Sequence, residues 1–216
     1  MRKLLVGAAL ATLIAAPVRA QGAGDPITAG SGSFYFGPYV GYMIFGDLAD
    51  LPDGSEYSND NGISFGAQAG WSFTPNFTLL GNFGYNKSEF TIEPAGGGST
   101  AASGDVGVWL YDGNLQFRLP FAQDMGWIAP FVQLGAGAVK YTFDTDDFNS
   151  DGTTNVAFNF GLGGDFQFLE RVGARIMVKD YITSLNWTDI NEVDFSGGDD
   201  DTSHNWLISF GLNFGF

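Results

Sequence analysis

The chain is 216 residues long, with 24 acidic residues against 9 basic ones, a net charge of −15 and no cysteine. Its 44% apolar and 16% aromatic content excludes a disordered chain, collagen and a coiled coil, and the length permits one domain or two small ones. Without cysteine there is no disulfide framework, thiolate metal site or cysteine nucleophile. The acidic balance argues against nucleic acid, whose phosphates need a basic face.

Residues 1–20 read as a secretory signal peptide. Arg2 and Lys3 make a positive start, Leu4 to Ala16 an apolar run, and Val18-Arg19-Ala20 a small-residue cleavage site. The apolar run is shorter than the roughly 20 residues a spanning helix needs. Losing Arg2, Lys3 and Arg19 takes the charge of the mature domain, 21–216, to −18. No second run of 18 apolar residues follows. If the mature chain lives in a membrane, it must cross as a closed β-barrel, because backbone groups in lipid need internal partners.

A period of two runs through the mature chain. The first run, 33–45, is untidy; the second, Ile63 to Phe73, sets Ile63, Phe65, Ala67, Ala69, Trp71 and Phe73 against Ser64, Gly66, Gln68, Gly70 and Ser72. After 77–90, the stretch Trp109 to Leu119 turns Trp109, Tyr111, Leu115, Phe117 and Leu119 away from Asp112, Asn114, Gln116 and Arg118. In 127–143 the phase is mixed: Gln133, Gly135 and Gly137 suggest one inward set while Lys140 falls on the other parity, and a bulge would resolve it. Val156 to Phe168 opposes Phe158, Phe160, Leu162, Phe166 and Phe168 to Asn159, Gly161, Gly163, Asp165 and Gln167. After 172–181, the last run is the clearest, with Trp206, Ile208, Phe210, Leu212, Phe214 and Phe216 on one face. The other face holds Leu207, Ser209, Gly211, Asn213 and Gly215 and is mostly small or polar. These are eight strands, each near or above the roughly 9 to 11 residues that cross a bilayer when tilted.

The connections alternate between short (Thr74-Pro75-Asn76, Pro120 to Gly126, Leu169-Glu170-Arg171) and long (46–62, 91–104, 144–153, 182–203). Of the 24 acidic residues, 18 lie in or beside the long ones. The expected fold is therefore all-β: an eight-stranded antiparallel up-and-down transmembrane β-barrel with short periplasmic turns and long acidic outer loops. Both termini are expected in the periplasm.

The segments Trp127 to Gly137, Asn159 to Asp165, Arg175 to Tyr181 and the closing Gly211-Leu212-Asn213-Phe214-Gly215-Phe216 carry a resemblance to the OmpA-type family of small bacterial outer-membrane β-barrels, over about 30–216. The terminal aromatic on an alternating strand (Leu212, Phe214, Phe216) is similar to the signal that the barrel assembly machinery reads. Larger members continue into a periplasmic peptidoglycan-binding domain. None is expected here, so wall anchoring is not implied.

Asp112, Arg118, Asp165, Arg175 and Lys179 share the expected interior with several amides, and an eight-stranded barrel is only wide enough for side chains to fill. Their charges should pair as a structural polar plug, the alternative being a gated ion path. The inward glycines Gly66, Gly70, Gly161, Gly163 and Gly211 could leave a water-filled cavity. Asp147, Asn149, Asp151 and Gly152 fit the opening of a calcium loop, but Phe158 stands where a bidentate Glu belongs, so an EF-hand site is not expected. Weak cation binding by clustered rim carboxylates and a simply solvated acidic loop both stay open. The single histidine, His204, follows Ser203; adjacent strand residues point to opposite faces and cannot form a nucleophile and base pair. Phe73, Phe77, Phe117, Phe121, Trp127, Phe168 and Phe216 suit an interfacial aromatic girdle.

The sequence thus reads as a monomeric, non-enzymatic outer-membrane barrel without cofactor. Its role is structural or surface-interacting, its partners outer-membrane lipid and lipopolysaccharide, with a possible surface ligand at the outer loops. The alternative is a narrow channel or carrier for small solutes. A lipid-modifying barrel enzyme and a soluble ligand-binding barrel are further alternatives, the latter disfavoured because it would put its apolar set inside.

Overall fold

The computed structural model of the chain describes residues 32–46, 49–50, 56–93, 102–119, 128–145, 148–169, 171–184 and 202–216. The expected signal, residues 1–20, lies outside them, as do Phe121 and Trp127. The strands are β1 (Ser33–Ile44), β2 (Ala49–Asp50), β3 (Glu56–Asn59), β4 (Gly62–Ser72), β5 (Phe77–Glu93), β6 (Ala102–Arg118), β7 (Ile128–Thr145), β8 (Phe148–Leu169), β9 (Val172–Ser184) and β10 (Thr202–Gly215). Eight of them, β1 and β4 to β10, pair antiparallel with their chain neighbours and close into an up-and-down barrel. The closing ladder joins the first strand to the last, from Tyr35↔Gly215 to Ile44↔Trp206. Beyond it, the Phe216 amide donates to the Phe34 carbonyl at 2.9 Å. Closure leaves no sheet edge in lipid, where each unpaired backbone group would cost several kcal/mol. Strands β3 and β2 extend the sheet past the barrel, along the end of β5.

The alternation read from the sequence sorts the two faces of each strand. On β10, Trp206, Phe210 and Leu212 are exposed on the outer wall, whereas Leu207 and Asn213 are buried in the lumen. On β7 the phase is single: Ala129, Phe131, Gln133, Val139 and Tyr141 all face inward and are buried, so no bulge falls within 128–141. Lys140 sits on the outer wall. The bulge lies just beyond, between Tyr141 and Phe143, where Asp151 and Gly152 stand opposite Thr142. A second irregularity, between Gln167 and Leu169, turns both Phe168 and Leu169 outward.

The strands also run further than the alternation suggested. β6 starts at Ala102 rather than near Trp109, β8 at Phe148 rather than Val156, and β10 at Thr202 rather than Trp206. Backbone pairing continues there without a clear period of two in the sequence. Residues 91–93, 102–104, 144–145 and 148–153, which read as loop, are therefore strand. Asp147 lies outside the described residues, while Asn149 and Asp151 belong to β8, with Asn149 opposite Asp144. Extended, paired backbone there does not wrap a cation as a calcium loop would.

Candidate functional site

The barrel interior is the candidate site, and it is built in layers. At the end bearing the short turns, Ser72 Oγ and Thr78 Oγ1 are 2.9 Å apart. Arg118 donates from Nη1 to the Pro75 carbonyl at 2.8 Å. One layer deeper, Arg175 grips Asp165 with two parallel bonds, Nε to Oδ1 at 2.7 Å and Nη2 to Oδ2 at 2.8 Å. Its remaining Nη1 donates to Tyr35 Oη at 2.9 Å and Gln68 Oε1 at 3.0 Å. Asn213 Nδ2 donates to Asp165 Oδ1 at 3.0 Å. The guanidinium also lies over the rings of Phe131 (4.5 Å) and Tyr35 (5.1 Å). A buried charge is tolerated only with this density of partners.

The middle layer centres on Asp112. Lys179 donates to its Oδ1, as does Asn114 Nδ2 at 2.6 Å. Its Oδ2 accepts from Tyr181 Oη at 2.9 Å and from Asn82 Nδ2 at 2.8 Å. Lys179 and Asp112 are both buried, and the ammonium lies 4.9 Å over the Tyr181 ring. The five charged residues expected in the lumen are thus all buried there. Four of them form two separate ion pairs, and Arg118 occupies the turn end.

The third layer was not legible as such. Met43, Phe45, Val106, Val108, Leu110, Val139, Tyr141, Ala157 and Leu207 form one apolar cluster with Tyr39 and Tyr181 at the end bearing the long connections. Met43, Val106, Val108, Leu110 and Leu207 have no exposed surface. The available signal was Val106 to Tyr111, where a single glycine at 107 interrupts residues apolar at both parities: such a run is apolar toward the lumen as well as the outside.

The inward glycines do not open a cavity. A Cβ on Gly66 would stand 2.3 Å from the Tyr39 ring, and one on Gly70 2.3 Å from the Tyr35 ring. A Cβ on Gly161 would meet Gln133 Cγ at 2.8 Å, and one on Gly163 would meet Phe131 Cζ at 2.7 Å. At Gly211, Tyr39 Cβ would be 3.0 Å away. Glycine is present because neighbouring side chains lie across it.

Ser203 is buried inside and His204 stands on the outer wall, so no hydrogen-bonded pair links them. Instead His204 Nδ1 is 2.7 Å from Asp180 Oδ2. Asp180 faces outward yet is largely covered, opposite Phe160 and Trp206 in the ladders. That partnership depends on strand register, which spacing within one strand does not supply. Among the described residues no group of three His, Cys, Asp or Glu could hold a metal ion. At the turn end, rings touch in series from Phe34 through Trp71, Phe73 and Phe77 to Phe117.

Solved structures share this architecture. The outer membrane protein OprG of Pseudomonas aeruginosa is similar with a TM-score of 0.56 at 16% identity, covering 88% of this chain and 99% of that one. Neisserial surface protein A has a TM-score of 0.55 at 10% identity, covering 85% and 97%. The outer membrane protein AlkL, solved in lipid bilayers, has 0.51 at 15% identity, covering 91% and 94%. At such identities the likeness is one of fold alone. No curated protein sequence matches the chain. Residues 6–214 match the family model of the outer membrane protein beta-barrel domain, and the chain belongs to that family, an outer-membrane β-barrel.

Proposed function

We propose that this barrel is a closed structural and surface-displaying protein of the outer membrane that neither conducts solutes nor catalyses a reaction. One observation carries the reading: the lumen is filled twice over. A solute entering from the turn end would have to break the Arg175–Asp165 and Lys179–Asp112 pairs. It would then have to part an apolar layer in which Met43, Val106, Leu110 and Leu207 have no exposed surface. Both amide atoms of Gln116 and of Asn159 are buried without a protein partner, so the polar layers can accommodate isolated waters. Within the apolar cluster the hydroxyls of Tyr39 and Tyr141 are buried without a protein partner; two hydroxyls can hold isolated waters but not a continuous file. Catalysis is disfavoured because the only histidine faces outward while the adjacent serine lies behind the wall.

In this reading the turn end and both termini are periplasmic, and the acidic long connections stand outside as the surface on which a ligand would land. The barrel works as a monomer in contact with lipid and lipopolysaccharide. Phe216, Phe214 and Leu212 serve as the mark for the assembly machinery. Planar-bilayer recordings on the refolded protein test the function: the expected result is no stepwise conductance at either polarity. Steady unit conductance, or swelling of proteoliposomes in small sugars, would establish the channel reading instead. A tag inserted between β5 and β6 should be labelled on intact cells if the orientation is right.

A further inference from the structure

Residues 60 and 61 join β3 to β4 outside both strands, since β3 ends at Asn59 and β4 begins at Gly62. Asn61 is exposed and lines a pocket of about 330 Å³ with Asp60, Lys87 and Asp105. It is the one asparagine of the chain that a glycine follows. The fold fixes both members of this pair. Asn61 Oδ1 accepts from the Phe45 amide at 3.0 Å, just past the end of β1 at Ile44. Gly62 is buried, and a Cβ there would lie 2.6 Å from the Lys87 carbonyl oxygen and 3.0 Å from the Asn86 side-chain amide.

The amide carbon of an asparagine and the backbone nitrogen that follows it can close a five-membered ring. The approach is least hindered where the following residue has no side chain. Asn82, Asn114, Asn159 and Asn213 lie within paired strands and precede Phe83, Leu115, Phe160 and Phe214. Ladders hold their backbone extended, and the next side chain crowds the nitrogen. Asn61 lies outside the strands, and its successor carries no side chain.

We propose that Asn61 is a site of spontaneous deamidation. The Gly62 nitrogen yields its proton to solvent base and attacks Asn61 Cγ. The bond from Cγ to Nδ2 then breaks, and ammonia leaves with a proton taken from water. A water molecule opens the resulting cyclic imide at one of its two carbonyls, so that overall one water is consumed and one ammonia released. Opening at Cγ gives aspartate, which adds a charge beside Asp60 and Asp105 yet still offers Phe45 an acceptor. Opening at the main-chain carbonyl gives isoaspartate, whose main chain runs through Cβ and Cγ. The added carbon displaces the chain between β3 and β4 and draws the acceptor away from the Phe45 amide. Phe45 is buried in the apolar cluster of the lumen, so ageing at this one residue loosens the end of β1 and the rim of the apolar layer with it.

The test keeps the folded mature chain in detergent at mildly alkaline pH and follows it by peptide mapping that separates asparagine, aspartate and isoaspartate. Asn61 should lose its amide before any other asparagine, give both products, and convert faster as the pH is raised. Hydrogen exchange in the peptide bearing Phe45 should quicken in the aged protein and stay at the fresh protein's rate in Asn61→Asp. Retention of the Asn61 amide until the barrel is unfolded in urea, or earlier conversion of an asparagine within a strand, would overturn the proposal. Equal exchange near Phe45 in the aged protein and in Asn61→Asp would overturn the isoaspartate route to loosening, since added charge alone would then account for it.

Discussion

The two halves of the lumen are filled by opposite chemistry. Toward the short turns the interior is held by directed bonds: Arg175, Asp165, Lys179 and Asp112 each need specific partners, and removing one member strands another in a place water reaches poorly. Toward the long connections the same barrel is held mainly by apolar packing, with a few buried polar contacts such as Asn86 Nδ2 to Ser64 Oγ at 3.1 Å, and the cost of changing an apolar side chain there follows volume. The barrel wall is continuous across both, so closure of the sheet does not dictate what plugs it.

The largest losses are expected in the polar half. Asp112→Ala leaves Lys179, Tyr181, Asn82 and Asn114 without their shared acceptor. It should cost about 3–5 kcal/mol of unfolding free energy, as Arg175→Ala should by stranding Asp165. Urea unfolding in lipid vesicles checks both, and losses below about 1 kcal/mol would mean that this half is wet. In the apolar half, Leu207→Ala should cost about 2–5 kcal/mol by leaving a cavity, and the loss should be insensitive to salt. A second leucine on the same strand, Leu212, faces the outer wall, and Leu212→Arg should cost about 2–4 kcal/mol in bilayers. The same change at Asn213 acts through lumen packing and charge. If bilayer thickness alters the Asn213→Arg loss and not the Leu212→Arg loss, the faces of β10 are inverted.

Smaller effects sharpen the picture at the turn end. Arg118 donates to the Pro75 carbonyl near the mouth of the barrel. Arg118→Ala should therefore cost about 1.5–3 kcal/mol, less than Arg175→Ala. Deleting Phe216 should remove about 1.5–3 kcal/mol of burial in detergent while sharply reducing insertion in cells. Equal losses in both settings would remove the assembly role.

Strand faces were legible because a period of two reports which side chains meet lipid, and for β4, β6, β8 and β10 that pattern is nearly unbroken. Strand ends were not legible: Ala102, Phe148 and Thr202 begin strands whose first residues lie beyond the apolar band, where pairing persists without patterning. The residues of the polar lumen could be gathered by parity, but their partners could not. Arg175 reaches Tyr35 and Gln68 across the barrel, and that choice depends on stagger between strands distant in the chain. The apolar layer was hidden because Leu207 and Val108 sit on faces otherwise judged small or polar. The Asp180–His204 contact was hidden for the same reason of register.

The ladder between β1 and β10 sets a kinetic problem that the others do not. Every other ladder of the barrel joins strands consecutive around the ring and close in the chain, and can form as a hairpin while synthesis or insertion proceeds. The last one must join segments separated by almost the whole mature sequence, and the loop entropy of that contact is met only when everything between is in place. Until then Phe34 to Ile44 and Trp206 to Phe216 are two open edges with apolar outer faces, able to pair with strands of another chain. The slow and vulnerable moment in the life of this protein is therefore the meeting of its two ends.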